Sequence, residues 1–447
     1  MLNHFLYKSY RFFYLWETWW RRRFTTPGIF LLLIIIISAL LGIDTTRNMV
    51  YQIFTLSLVL LLISIFCSFI FKVKCQVKRE LPEFVTVNET FRYRIEVKNN
   101  TGKFQKDLSL FENPKDPRPD IDELLSAREP GEEKRNIWDR KIMYYRWLWI
   151  IRQNQKAWFG ENKIPDILPG GTVSFDAELT PGNRGYIQLS GVIIARPDPF
   201  RLFMAFKRID CRQKLLVLPR RYSIPEIHMP GNRKYNSGGV ALASAIGNSD
   251  EFVSLREFRP GDSIRNIHWK SLAKTGDLIV REFQDEYFTR HALILDTYDE
   301  QAHSPVFEEA VSIASSFACS LKTEEAILDL MFVGNQAYSF SSGRGLSTTE
   351  KIMEILACVK TEKENNISHI MPLIDEYAPL FSGSICIFLK WDSHRKKILD
   401  RLKASGAPVL AMVLTDNRDK CEQNLHEYTG DVHILETGRI QEDLMLL

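Results

Sequence analysis

The sequence predicts a multidomain membrane protein: a two-helix transmembrane hairpin, a β-sandwich-like region, then a doubly wound α/β domain. Three observations lead there. Two long apolar runs stand near the N-terminus. Short alternating segments with Gly and Pro turns follow them. From His291 onward, nearly continuous apolar strands alternate with helical segments, as in a parallel sheet covered on both faces. The expected boundaries are 1–23 for a cytoplasmic or interfacial segment and 24–71 for the hairpin. Residues 72–210 form the β region, 211–290 a polar connecting segment, and 291–447 the α/β domain.

The 447 residues exceed what one compact core needs. Lys and Arg number 58 against 55 Asp and Glu, a net charge of +3, which excludes a histone-like protein and gives no reason to expect nucleic acid as a partner. The seven cysteines are widely spaced and form no CxxC, which argues against a disulfide framework or a structural zinc site.

Residues 24–43 and 49–71 can each cross a hydrocarbon core of about 30 Å. Residues 44–48 leave room only for a tight turn. Lys8, Arg11, Arg21, Arg22 and Arg23 precede the runs, Lys72, Lys74, Lys78 and Arg79 follow them, and Arg47 stands alone between. Positive charge favours the cytoplasmic side, so both flanks and the bulk of the chain are expected there. Residues 5–20, rich in Phe, Tyr and Trp, read as an interfacial helix in contact with the lipid bilayer.

Strands are expected at 91–100, 171–180, 184–195 and 202–209. The stretch 113–165 interrupts them. It opens as a Pro-rich loop and turns helical from about Glu132 to Trp158, with Trp138, Tyr144, Tyr145, Trp147 and Trp149 beside Arg140, Arg146 and Arg152. Packing of this helix on the sandwich is the expectation; contact with a membrane surface or a partner is the alternative. In the α/β domain, strands are expected at 292–296, 327–333, 384–390, 408–414 and 432–436. Helices are expected at 304–322, 347–360, 393–404 and 420–428. Residues 333–341 read as a turn into an antiparallel edge strand.

Residues 254–286 are the densest in chemistry. A strand at 254–258 meets the turn Arg259-Pro260-Gly261. Asp262 or Ser263 then caps a short helix running through Trp269 to about Ala273, and a strand returns at 278–283. Three readings stand open: an ion-pair network that fixes the loop, an acid–base site using Asp262 and His268, or a docking surface with Arg265 and Trp269 as hot-spot types.

This block resembles the signature of the family named domain of unknown function fifty-eight. The matching residues are Arg256, Pro260, Gly261, Asp262, Arg265, His268, Trp269, Lys270, Val280, Arg281 and Glu282. Residues 181–189, PGNRGYIQL, resemble its Arg-Gly-Tyr strand. Residues 196–203, RPDPFRLF, resemble its Asp-Pro-Phe-Gly-Leu-Phe turn with Arg201 in place of glycine, which predicts a different turn conformation. The resemblance implies a von Willebrand A-like C-terminal domain. It implies MoxR-type AAA+ ATPases and other von Willebrand A proteins as partners, and supplies no reaction and no cofactor. Arg256, Asp262, Arg265, His268, Trp269, Lys270 and Arg281 are then candidate partner-binding residues. The expected function is a membrane-anchored interaction or assembly factor without catalysis of its own. A hydrolase or nuclease built on Asp262 and His268, or a metal-dependent adhesion-type receptor, are the alternatives. A von Willebrand A metal site uses Asp-x-Ser-x-Ser, where hydroxyl and carboxylate oxygens suit Mg²⁺. Here Asp296 is kept and Tyr298 and Glu300 replace both serines. Asp296, Glu300 and Asp392 are weak metal candidates, and the acids at strand ends can equally cap the helices that follow. No divalent cation is expected.

Overall fold

A computed structural model describes residues 2–41, 48–71, 73–225, 252–283, 289–299, 304–321, 326–334, 336–343, 349–363, 367–418, 421 and 432–447. The chain divides into two compact units, Met1–Arg220 and Arg221–Leu447.

The first unit opens with helices α1 (Leu2–Arg23), α2 (Thr26–Leu41) and α3 (Asn48–Phe69). Within α3, Met49–Phe69 is long and apolar enough to cross a membrane. Helix α2 is equally apolar, and its 16 described residues cover about 24 Å at about 1.5 Å each. The two helices pack together. Most of the expected turn, 42–47, lies outside the described residues.

Nine strands follow: β1 (Cys75–Glu80), β2 (Phe84–Thr86), β3 (Phe91–Asn99), β4 (Leu108–Pro114), β5 (Ala157–Phe159), β6 (Asn162–Ile164), β7 (Thr172–Pro181), β8 (Gly185–Pro197) and β9 (Met204–Leu218). They form two sheets, ordered β1-β3-β7-β5 and β2-β9-β8-β4-β6. Strand β3 shows why these sequences make a sandwich. Tyr93, Ile95 and Val97 point inward while Arg92, Arg94 and Lys98 stay exposed, the period of two that a half-buried strand requires. Opposite them, Leu110, Ile187, Ile194, Leu215 and Val217 complete one core. Each such side chain contributes about 1.5–3 kcal/mol when removed from water. Strand β9 runs on to Leu218, so the sandwich extends past the expected boundary at 210.

The insert is a correction. It is not one helix from Glu132 to Trp158 but α4 (Ile121–Ser126), a 3₁₀ turn, α5 (Ile137–Ile142) and α6 (Tyr144–Asn154), with Trp158 on β5. The break between α5 and α6 falls at Met143, whose φ of 57° ends α5 as a left-handed cap. Nor is the sandwich its main partner. Trp147, Ile150, Ile151 and Leu124 close over Tyr7, Tyr10 and Tyr14 of α1.

The turn at 197–203 joins the sandwich to the helices. Asp198 is buried, and its carboxylate accepts hydrogen bonds from the amides of Phe200 (2.9 Å), Leu202 (2.7 Å) and Phe203 (2.6 Å). It also accepts one from Ser64 Oγ of α3 at 2.9 Å. Phe203 packs with Phe24 and Leu61. Gly28 of α2 is needed for this approach, since a Cβ there would lie 2.1 Å from the Leu202 carbonyl oxygen. Arg201 has φ of 56°, so an arginine here takes up the left-handed geometry that a glycine favours.

The second unit contains β10 (Phe252–Glu257), α7 (Trp269–Thr275) and β11 (Ile279–Phe283), then β12 (Thr289–Leu295), α8 (Pro305–Ser320), β13 (Ala326–Val333) and β14 (Ala337–Ser342). It continues with α9 (Thr349–Cys358), α10 (Met371–Tyr377), β15 (Gly383–Phe388), α11 (Ser393–Ala404), β16 (Val409–Thr415), β17 (Val432–Glu436) and α12 (Ile440–Leu444). The six-stranded sheet has the order β14-β13-β12-β15-β16-β17. All its neighbours are parallel except β14, which returns antiparallel from β13 as the sequence predicts. Helices α8 and α9 pack together, while α10 and α11 share a separate core with alternate residues of the strands, Ala292 and Ile294 among them. The expected helix at 420–428 lies, except for Cys421, outside the described residues.

Arg201→Gly is expected to stabilise the protein by roughly 0.5–1 kcal/mol. The left-handed conformation costs a non-glycine residue about 1–2 kcal/mol, partly offset by glycine's greater loss of chain entropy. The Arg201–Asp107 ion pair lost in the change is 3.7 Å long and exposed, so it counts for little. Melting curves in detergent check this; a lower melting temperature for the glycine variant would refute it.

Candidate functional site

The signature block folds as a hairpin. Strands β10 and β11 pair antiparallel, with Arg256 opposite Val280 and Leu255 opposite Arg281. Arg256 grips both oxygens of Asp262, each at 2.8 Å, and the Arg259 amide donates to the same carboxylate at 2.7 Å. The Arg256 guanidinium, followed by that amide, holds the Asp262 carboxyl down at about 2, so it is ionised at any physiological pH. Gly261, at φ of 109°, supplies the turn that lets this happen.

The single capped helix expected here is a second correction. Ile264–Asn266 is a 3₁₀ turn, Ile267 bridges to Val280, and α7 begins only at Trp269 with His268 as its N-cap residue. The buried Ile267 side chain beside Val280 is the reason, since it pins the chain to β11 between the two helical pieces. Arg265 and Trp269 are therefore on different elements and are not one turn apart on a shared helix. The His268 ring shares a hydrogen bond of 2.6 Å with Ser271 Oγ, and its amide donates to the Ile279 carbonyl at 2.8 Å. No hydrogen bond joins Asp262 to His268 among the described residues. Exposed on the block are Trp269, Ile264, Leu255 and Leu278, with Arg265, Lys270 and Arg281 also at the surface.

The second place to look is the carboxyl edge of the six-stranded sheet. Strand order reverses between β12 and β15, and such a switch point is where open α/β sheets bind ligands. Asp296 leaves β12 at this point. Its carboxylate is fully buried and holds the Arg395 guanidinium, with Nε 2.9 Å from Oδ2 and Nη2 3.0 Å from Oδ1. The amides of Tyr298 and Leu389 donate to it as well, each at 3.1 Å. Burial pushes the Asp296 carboxyl up, and the guanidinium and the two amides pull against that push. Arg395 sits in the first turn of α11 and is itself fully buried.

Asp392 is the N-cap of α11, accepting from the His394 and Arg395 amides at 3.0 Å each, and its other oxygen meets Arg395 Nη1 at 2.5 Å. Against the upward push of partial burial, that amide and guanidinium hold the Asp392 carboxyl below its ordinary range. This residue thus does the capping that the sequence offered as an alternative to metal binding. Tyr298 lies under Lys390, whose Nζ is 3.9 Å from the ring centroid, with Arg395 at 5.7 Å. Glu300 lies outside the described residues. Chemically, the crevice holds a fixed protein cation where a ligand or metal ion would need to enter, because an arginine keeps its charge at every accessible pH.

The sequence reading did not single out Arg395. It is the first of three consecutive cations, Arg395-Lys396-Lys397, at the start of a surface helix, and nothing in composition marks which of them turns inward. Asp198 and Ser64 carried no signal as a pair either, being 134 residues apart.

Arg395→Met is expected to cost about 3–5 kcal/mol, because it leaves the Asp296 carboxylate buried without its partner. The double change Asp296→Asn with Arg395→Met should recover part of that loss. Urea unfolding followed by tryptophan emission measures both; a cost below about 1 kcal/mol for Arg395→Met would show that the pair is dispensable.

Comparison with solved structures gives weak likenesses. One is a Salmonella alpha-2-macroglobulin mutant, at 9% identity and a TM-score of 0.18, covering 36% of this chain and 8% of that one. Another is PapD-like domain 7 of human CEP192, at 10% identity and a TM-score of 0.18, covering 33% of this chain and 86% of that one. Neither score defines a shared fold. Among curated sequences, the chain is 26% identical over 201 residues to the uncharacterized protein YeaD of Bacillus subtilis (strain 168). That match takes in 44% of this chain and spans 48% of the relative. Residues 254–420, which include all but the first two residues of the hairpin and the Asp296–Arg395 pair, match the family model described as Protein of unknown function DUF58.

Proposed function

We propose that the chain is a membrane-anchored protein-interaction or assembly factor without catalytic activity of its own. Two spans, 24–43 and 49–71, hold it in the cell's inner membrane, and the basic flanks place the bulk in the cytoplasm. Its α/β domain is read as von Willebrand A-like, a reading supported by the parallel sheet with one antiparallel edge strand. The partners in this reading are a MoxR-type AAA+ ATPase and other von Willebrand A proteins. That part is carried by the family resemblance, which the match at 254–420 supports.

The observation that favours binding is the surface of the hairpin. Trp269 is 57% and Ile264 69% exposed, beside Arg265 and Lys270, on a turn braced by Arg256 and Asp262. Large apolar groups next to arginine are the composition of interface hot spots. The hydrolase or nuclease alternative needs Asp262 free to move protons, and both of its oxygens are instead engaged. The adhesion-type alternative needs an open Asp296, and Arg395 covers it.

Immobilised full-length protein in detergent should capture a MoxR-type ATPase from the same cell. Trp269→Ala or Arg265→Ala should weaken capture by about 2 kcal/mol or more, roughly thirtyfold, while His268→Ala leaves it intact. Melting curves taken alongside separate lost contact from lost folding. The reading fails if capture survives both substitutions, or disappears only in variants that have unfolded.

A further inference from the structure

Helix α1 carries two unlike faces. Residues 7, 10 and 14 lie on one side at helical spacing, and residues 5, 12, 16 and 19 lie on the opposite side. The first face is occupied. Tyr7 and Tyr10 sit with ring centroids 5.9 Å from Trp147, and Tyr10 Oη donates to the Ile142 carbonyl at 2.9 Å. Tyr7 Oη donates to the Pro119 carbonyl at 3.4 Å. The insert therefore covers that side from Tyr7 to Tyr14.

The second face has no cover among the described residues of its unit. Phe5 is 68%, Phe12 60%, Trp16 54% and Trp19 45% exposed. Phe12 stacks on Trp16 at 6.3 Å and Trp16 meets Trp19 at 6.0 Å, so these three make one aromatic stripe, with Phe5 on the same side about two turns earlier. Isolated exposed apolar groups need no explanation, but a continuous stripe of large rings does. The stripe is continuous with the apolar helices. Trp19 contacts Phe24 at 6.3 Å and Phe203 at 6.4 Å, and Phe24 packs with Leu61 of α3. Arg23 Nη1 donates to Ser68 Oγ near the end of α3 at 3.4 Å. The stripe thus ends where α2 begins and α3 finishes. Lys8, Arg11 and Arg22 fall along one border between the two faces, the placement of cations on helices that lie on anionic lipid.

We propose that α1 lies at the boundary between headgroups and acyl chains of an anionic bilayer, with Phe5, Phe12, Trp16 and Trp19 toward the lipid. The insert is the brace that fixes this rotation of the helix. The proposal rests on the membrane-anchor reading above and adds a lipid-facing surface outside the spans. Trp and Phe on one face with cations at its border suit the interfacial region, where amphipathic rings are enriched.

The test uses the full chain in vesicles of phosphatidylcholine and phosphatidylglycerol, with and without brominated acyl chains that quench nearby tryptophan. Trp16→Phe and Trp19→Phe should each reduce the bromine-dependent quenching, and Trp269→Phe should leave it unchanged. Tyr10→Ala loosens the brace while leaving every tryptophan in place, and should also reduce the quenching. Unchanged quenching in Tyr10→Ala would remove the insert from the proposal. Unchanged quenching in both tryptophan variants would overturn the lipid-facing surface. An alkaline carbonate wash distinguishes the two levels. Release of the protein refutes the anchor and this proposal with it; retention without quenching at Trp16 and Trp19 refutes this proposal alone.

Discussion

The ion pair between Asp296 and Arg395 is the constraint around which the second unit is arranged. A carboxylate with no exposure to solvent is tolerable only if its charge is answered at once, and removing either partner would strand the other in a medium that cannot solvate it. The pair ties the end of β12 to the first turn of α11, and through the Leu389 amide to the segment leaving β15. These are the elements that flank the reversal of strand order. The feature that locks the sheet's edge therefore also fills the crevice in which such sheets usually bind ligands. Among the described residues, the hairpin at 252–283 also presents exposed Trp269 and Ile264 beside Arg265.

The first unit repeats the device with a different acid. Asp198 is buried in a loop and accepts from three amides of its own turn and from Ser64 on α3. A third buried charge, Glu112, pairs with Arg79 at 2.8 Å and accepts from Tyr93 Oη at 2.8 Å inside the sandwich. In each case the acid is more fully satisfied than a surface pair would be, so its value lies in fixing geometry. The turn at 197–203 fixes how the sandwich meets α2 and α3, and α1 with its insert completes that assembly on the same side of the sequence. Within this unit the buried Asp198 thus couples α3 to the sandwich.

Much of the fold was legible because periodicity reports burial directly. The alternation in residues 91–100 and the apolar runs at 292–296 and 384–390 placed β3, β12 and β15, and residues 333–341 read as the turn into the antiparallel edge strand β14. What stayed hidden depended on partners remote in sequence. The insert reads as one helix because a left-handed residue other than glycine, here Met143, leaves no mark in composition. Its aromatic face announces burial without saying against what, and α1 proved to be the answer. In the signature block the arrangement was missed, since Ile267 interrupts the helix through a contact with Val280 that spacing cannot encode. The crevice was judged from the missing serines, although the decisive side chain is an arginine 99 residues away from Asp296.

In the proposed reading Arg395, the chain's own cation, closes the switch point and function falls to the surfaces. Titration calorimetry of Mg²⁺ and Mn²⁺ into the full-length protein in detergent tests it most directly. Heats of dilution alone are expected, and the same melting temperature with and without either ion. A saturable heat that disappears in Asp296→Asn would contradict it, because it would mean that Arg395 yields the site to a metal.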